Sequence, residues 1–371
     1  MHNVKRVPRA NLSPELIARH KEEEQKKLSA YKSVEDEYLA RRAAGDVSMA
    51  GLDSTTALLT CNPEYYSAWN YRRDILLQMF KEAETSEGAQ TLQTRLLEGD
   101  LMLLQQNMRM YPKVYWLWNH RRWCLQMLPV VSSNPSKKWE NELSLVDMML
   151  EMDSRNFMGW NYRRWILEEL AAALSPEWDD HQARFPSSLS ISSLPDSVRK
   201  THLELAESEL RYTLRKIESN FSNFSAWHQR SKLLVCVWDA KKLHQEQRML
   251  ERNKEFELLQ QAMYTDPSDQ SIWIYHRWLV SLNPDQKTLE QQIHLIEELA
   301  ELEPDSKWCM QSLAHYKQLL LSTWGDLLDA SVKDTLATQI KELLERLSVI
   351  DPLRQHRYED LLKAIHAHQH I

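Results

Sequence analysis

The chain has 371 residues, enough for one large domain or two ordinary ones, and a mild acidic excess of −7. A dedicated nucleic-acid binder usually carries a basic surplus, so no nucleic-acid partner is expected. Only 6 Gly are present, too few for a sheet-rich fold with its many tight turns or for a glycine loop that cradles phosphate, so an all-α chain is expected.

The N-terminus, Met1-His2-Asn3-Val4-Lys5-Arg6, has no apolar core behind it and does not read as a signal peptide. No apolar run approaches the roughly 20 residues of a membrane helix, so stable membrane insertion is not expected. Cys61, Cys124, Cys236 and Cys309 are widely spaced, with no C-x-x-C pair. That fits a reduced, cytoplasmic protein and offers neither a zinc ribbon nor a redox motif. Residues 1–42 read as an N-terminal segment and a leading helix, the charged, helix-forming run 14–42 lying on the body or on a partner.

From there the chain repeats. The 14 Trp suggest a repeated structural use, since buried Trp needs a partner for its N–H. The first copy runs from Asn62-Pro63 to Trp69-Asn70-Tyr71-Arg72-Arg73. The second is Tyr111-Pro112-Lys113-Val114-Tyr115-Trp116-Leu117-Trp118-Asn119-His120-Arg121-Arg122. The third runs from Asp153 through Asn156-Phe157-Met158-Gly159-Trp160 to Arg163-Arg164. A fourth, from Asn220 to Trp227 and Arg230, lacks the second Arg, and a fifth runs from Asp266-Pro267 to Trp273 and Arg277. Weaker copies begin at Glu303-Pro304, reaching Trp308, and at Asp351-Pro352, reaching Tyr358. The anchor Trp residues are 49, 42, 67, 46 and 35 positions apart, about one helical hairpin per unit. In the third unit Leu143, Val146, Met149 and Leu150 have the spacing of a first helix.

Asn or Asp before Pro is expected to start the second helix, the side chain capping and Pro taking the first helical position. Arg three and four places after Trp falls on the Trp side of that helix, where pairing with acids on an adjacent helix is expected. The whole of 43–371 then reads as a solenoid of stacked hairpins, an α-α superhelix of crescent shape. One interruption is expected. Residues 175–197 hold seven Ser and three Pro with little apolar periodicity and read as a surface loop.

Standard catalytic signatures are missing: no H-E-x-x-H, no G-x-S-x-G and no EF-hand loop occur. The alternating His366, His368 and His370 read as a solvated tail. Residues repeated in every unit serve stacking, so function should lie where copies differ. The second copy alone has a Lys, Lys113, five places before its Trp, followed by Tyr115 and Trp116. An ammonium beside a helix N-terminus suits a bound phosphate, although a solvated charge is the commoner use.

With these copies quoted, the chain resembles the protein prenyltransferase α-subunit family, whose repeat is P-x-x-x-x-x-W-x-x-R-R, from about residue 58 to 360. The resemblance implies a heterodimer. A β-subunit would hold a catalytic zinc and the isoprenoid pocket, and the α-subunit would contribute to the diphosphate site. The family's P-K-x-Y-x-x-W is matched here by Lys113, implied to reach the diphosphate, and by Tyr115, implied to line the site. Its N-Y/F-H-x-W is matched by Asn156 and Phe157, implied substrate contacts, with Met158 where the family has His. Within the family the N-terminal stretch Gln25–Tyr31 and the first copy are most similar to the α-subunit of Rab (type II) geranylgeranyltransferase. Its implied partners are the β-subunit, a Rab escort protein, Rab GTPases and geranylgeranyl diphosphate. His2 could then reach the β-subunit metal, although a frayed, solvated terminus is the commoner arrangement for such a segment. Two alternatives stay open: the α-subunit shared by farnesyltransferase and geranylgeranyltransferase type I, and a non-catalytic scaffold of the tetratricopeptide kind, whose period of about 34 fits poorly.

Overall fold

The computed structural model describes residues 13–85, 87–129, 134–178 and 183–368, with side chains as far as residue 364. His2 and His370 lie outside the described residues, as do the side chains of His366 and His368. Among the described residues every regular element is helical. The chain divides into two compact units, residues 1–163 and 164–371.

In the first unit, α1 (Pro14–Ala43) leads into the hairpin of α2 (Met49–Cys61) and α3 (Tyr66–Ala83). A second hairpin, α4 (Ala89–Met110) and α5 (Tyr115–Met127), follows, then α6 (Ser136–Met152) and the start of α7 (Phe157–Leu174). Only the C-terminal part of α1 packs. Tyr38 is fully buried against the rings of Tyr65 and Tyr71, whereas residues 13–30 are exposed throughout.

The second unit takes the rest of α7 and four hairpins: α8 (Asp196–Ser219) with α9 (Phe224–Ala240), α10 (Gln245–Thr265) with α11 (Gln270–Ser281), α12 (Gln286–Leu302) with α13 (Lys307–Trp324), and α14 (Ala330–Ile350) with α15 (Gln355–His368).

Two devices recur in both units. First, each anchor indole N–H donates to the carbonyl six residues upstream: Trp69 to Pro63, Trp118 to Pro112, Trp160 to Ser154, Trp227 to Phe221 and Trp273 to Pro267, all at 2.8–2.9 Å. The buried indole thereby satisfies its donor and pins the turn that enters the second helix. Three of the anchors also meet a ring of the next hairpin, Trp69 on His120, Trp118 on Tyr162 and Trp227 on Tyr275, with centroids 4.7, 5.1 and 4.6 Å apart.

Second, in three copies the first Arg of the pair bridges hairpins, while Arg163 of the third copy pairs with Asp147 on its own hairpin's first helix. Arg72, Arg121 and Arg230 each donate Nη1 to a carbonyl of their own hairpin's first helix, that of Leu52, Leu101 and Leu210 respectively. Each then pairs with a buried acid on the first helix of the next hairpin: Asp100, Glu142 and Glu255. The acid lies eighteen places before the next Trp. It also accepts a bond from the residue two places after that Trp, as with His120, Tyr162 and Tyr275. Where the Arg is replaced by His276, the acid is replaced by Gln292, and the two are hydrogen-bonded at 2.9 Å. A buried guanidinium needs its counter-charge, and where the charge goes, so does the acid.

Three expectations change. Asn62-Pro63 and Asp266-Pro267 do not begin the second helix, whereas Pro352 after Asp351 is the first residue of a 3₁₀ turn that runs into α15. Asn62 ends α2, and its Oδ1 accepts the Glu64 N–H in a turn that precedes Tyr66, the first residue of α3. Asp266 does the same for Ser268 ahead of α11. The i to i+2 bond closes the turn, so the side chain serves the turn and not the helix end. Trp308 is not the sixth anchor. Met310, six places after Pro304, takes the buried position in a cluster with Ile340, Leu344 and Tyr358, while Trp308 is half-buried under Lys307 and Arg354. Finally, the described part of 175–197 is packed. A short 3₁₀ turn over Ser187–Ser190 buries Leu189, with Phe185 and Leu194 also buried, and Arg199 donates to the carbonyls of Leu189 and Ile191. Three of its few apolar side chains are fully placed in the core, which counting Ser and Pro does not reveal.

Candidate functional site

The second copy departs from the others in its turn. The position held by Asn62, Asp153, Asn220 and Asp266 elsewhere is Tyr111 here, and Lys113 follows two places on. The turn closes through the Val114 N–H to the Tyr111 carbonyl at 3.2 Å. Pro112 carries the next constraint. Its carbonyl accepts both the Trp118 indole N–H at 2.9 Å and the Asn156 side-chain amide at 3.0 Å. The backbone on the near side of Lys113 is therefore tied to its own helix and to the following hairpin.

Helix α5 then begins at Tyr115 with no side-chain cap, whereas Asn223 caps α9 and Ser306 caps α13. Its first N–H groups and the positive end of its dipole stay open to an anion. Lys113 is half-exposed, and its Nζ lies 3.0 Å from Oδ2 of Asp153. Tyr115 and Phe157, the first residues of α5 and α7, are 64% and 55% exposed, and their rings meet edge to face with centroids 6.0 Å apart. Beside them Trp116 stacks on the exposed Tyr66 at 5.7 Å. An ammonium, an open helix end and an apolar aromatic rim thus share one edge of the first unit. That arrangement suits a ligand with an anionic head and a hydrocarbon body.

Asn156 is placed differently. It is buried, its Oδ1 accepts the Met158 N–H at 3.1 Å, and its amide is spent on Pro112. It caps α7 and steadies the Lys113 turn. Met158 is buried too, so the position where the family has His faces the core. Sequence reasoning missed Asp153 as the partner of Lys113. Its signal was present, since an acid at the turn position has one oxygen beyond what the turn uses.

One convergence of metal-capable groups occurs among the described residues, Asp100, His120 and Cys124. Its donors are already committed. Asp100 takes three bonds from Arg72 and one from His120 Nε2, and His120 Nδ1 accepts from Arg73 at 3.1 Å. Burial holds the imidazole neutral, its pKa down to about 4 despite Asp100, and pushes the Cys124 thiol well up. A zinc ion would have to displace a guanidinium, so this cluster does not fit one. In the second unit a pocket of about 430 Å³ lies between α7, α9 and the packed insertion, lined by Arg164, Glu168, Arg184, His228 and Lys232 among others.

Five segments, 49–79, 97–128, 139–170, 206–236 and 252–283, match the family described as protein prenyltransferase alpha subunit repeat. They contain the five anchors from Trp69 to Trp273. The chain is 30% identical to geranylgeranyl transferase type-2 subunit alpha of Candida albicans, with 97% of each chain covered. It is 31% identical to the protein of that name from Saccharomyces cerevisiae, over 98% of this chain and 99% of the relative. The chain belongs to the type-2 geranylgeranyl transferase α-subunit family. Its fold is also that of a chain of the solved Candida albicans protein geranylgeranyltransferase-I complexed with GGPP, at 17% identity, 90% coverage of both chains and a TM-score of 0.57. Of the readings left open by the sequence, the type-2 α-subunit is the one its relatives carry. No helix among the described residues is long and apolar enough to cross a membrane.

Proposed function

We propose that this chain acts in the cytoplasm as the α-subunit of a heterodimer that transfers geranylgeranyl from geranylgeranyl diphosphate to C-terminal cysteines of Rab GTPases presented by an escort protein. In this reading the β-subunit holds the zinc and the isoprenoid pocket, residues 43–371 form the working domain behind the leader 1–42, and 175–197 is an addition to it.

The observation that carries the proposal is Lys113 at the uncapped start of α5, beside exposed Tyr115 and Phe157. In the transfer an S–C bond forms as the C–O bond to diphosphate breaks, and the leaving electron pair stays on the bridging oxygen. An ammonium fixed at that oxygen stabilises the transition state more than the ground state. Tyr115 and Phe157 line the approach, and Asn156 acts by holding the turn.

Two measurements test this. Co-expression with a type-2 β-subunit and, separately, a farnesyltransferase β-subunit should give one-to-one capture of the first only. In the captured heterodimer Lys113→Ala should lower kcat by roughly 10- to 1,000-fold, the range for loss of one electrostatic donor, with less effect on donor binding. Unchanged turnover in an intact heterodimer would remove Lys113 from the mechanism.

A further inference from the structure

The ion pair between Lys113 and Asp153 has a feature that the turn alone does not require. Asp153 follows the last residue of α6, and its backbone N–H donates to the Met149 carbonyl. Its Oδ1 accepts the Arg155 N–H at 3.2 Å, and its carbonyl accepts the Asn156 N–H at 3.1 Å. One carboxylate oxygen therefore closes the turn, and the other, Oδ2, meets Lys113.

The other copies act as internal controls. Asn62 and Asn220 stand at the same position, and each closes the same turn through its Oδ1, to Glu64 and Ser222 at 3.2 and 3.0 Å. An amide oxygen is enough for the turn. The negative charge of Asp153 is thus surplus to the fold's local need, and it is spent on the one Lys at its motif position.

We propose that Asp153 is a positioning residue for prenyl transfer. It holds the Lys113 ammonium at the site when no diphosphate is present, yields it to the incoming donor, and takes it back as the diphosphate leaves. This rests on the reading of Lys113 given above. The geometry suits an exchange. The Lys113 backbone is fixed through the Pro112 carbonyl, while its side chain is 55% exposed and can swing without disturbing the core. An ion pair this exposed biases the ammonium only a few-fold, enough to choose its resting place and too little to withhold it from a multiply charged diphosphate.

The test uses Asp153→Asn in the heterodimer with a type-2 β-subunit, with inorganic pyrophosphate as the probe. Asn keeps the turn, as Asn62 and Asn220 show, and removes only the competing charge. Pyrophosphate inhibition should tighten about 2- to 5-fold, the span expected for losing a half-exposed pair, and KM for the donor should fall by a similar factor. In a Lys113→Ala background the same substitution should leave pyrophosphate affinity unchanged.

Unaltered inhibition by pyrophosphate in Asp153→Asn alone would overturn the proposal. So would equal tightening in both backgrounds, which would mean that Asp153 merely repels the anion. Failure of Asp153→Asn to assemble would place the charge in the fold and end the idea as well. If instead Lys113→Ala alone leaves turnover and pyrophosphate affinity intact, it is the underlying assignment of Lys113 that fails.

Discussion

Glu142 is the acid of the second hairpin junction, and its replacement by Gln isolates what the Arg of the repeat depends on. Its carboxylate accepts Arg121 Nε and Nη2 at 2.5 and 2.7 Å and the Tyr162 hydroxyl at 2.7 Å, with Glu142 and Arg121 both buried. Burial opposes the Arg121 charge, yet the carboxylate bonds outweigh it and hold the guanidinium pKa above its ordinary value. In Glu142→Gln the new amide would therefore face a guanidinium that stays charged, with an NH2 group where one acceptor oxygen had been. Removing one partner of a buried pair costs about 3–5 kcal/mol, because the other charge is left without compensation. Tyr162→Phe removes a single bond to a charged acceptor and should cost about 1.5–3 kcal/mol. The triple change Arg121→Met, Glu142→Leu, Tyr162→Phe removes the network as a unit and should cost less than Glu142→Gln alone. Urea unfolding of the chain, followed by far-UV circular dichroism, gives the ordering. Should Glu142→Gln cost no more than Tyr162→Phe, the buried ion pair is not what joins these hairpins.

Acid should weaken the fold well above the carboxylate range. Burial holds buried His120 and His276 neutral, with pKa values lowered from 6.5 to about 4. The unfolded chain takes these protons first, so stability is whole above pH 6.5 and falls as pH drops towards 4, by at most roughly 3 kcal/mol for each His. Asp100, lowered from 3.8 to about 2 with Arg72 and His120 overcoming its burial, adds a further loss between pH 4 and 2. Urea midpoints at pH 7 and pH 5 check this, and equal values would contradict the neutral imidazoles. Asn156→Ala should cost about 1–2 kcal/mol through the lost cap of α7, with Asn156→Asp, which keeps the accepting oxygen, costing less. Equal losses would show that the amide bond to Pro112 outweighs the cap.

The repeat was legible because its parts lie close in sequence. Trp, the carbonyl six places before it and the Arg three places after it span three turns; the first spacing survives in five copies and the second in four, His276 replacing the Arg in the fifth. The acid that receives the Arg was not legible in the same way. Asp100 is 28 residues beyond Arg72 and Glu142 is 21 beyond Arg121, so the partner has no fixed distance along the chain. Its register appears only when counted back from the next Trp. Trp308 misled because an aromatic ring in roughly the right place resembles an anchor, while the structure asks for a buried side chain six places after Pro304, and Met310 meets that need. Of the candidate site, Lys113 stood out as a departure from the repeat, whereas Tyr115 stands where the first copy has Tyr66. Asp153 did not, since an acid is ordinary at its position.

That contrast explains how a solenoid built of near-identical hairpins can hold a site at one place. The indole, with the first Arg where a copy has one, fixes the second helix of the five Trp copies through atoms at set positions, and the turn asks only for an acceptor at its first residue or, in the second copy, for a backbone bond alone. The side chain five places before the Trp enters none of these bonds. It is Glu64, Lys113, Arg155, Ser222 and Ser268 in successive copies, so charge there varies without cost to the stacking. Lys113 occupies a position that the architecture leaves unassigned, beside a helix end that has no side-chain cap. Asp153 differs in kind, because one of its oxygens closes the turn of the repeat and the other meets Lys113. A residue of that sort ties a variable position to an invariant one, and substitution by Asn separates the two roles within a single side chain.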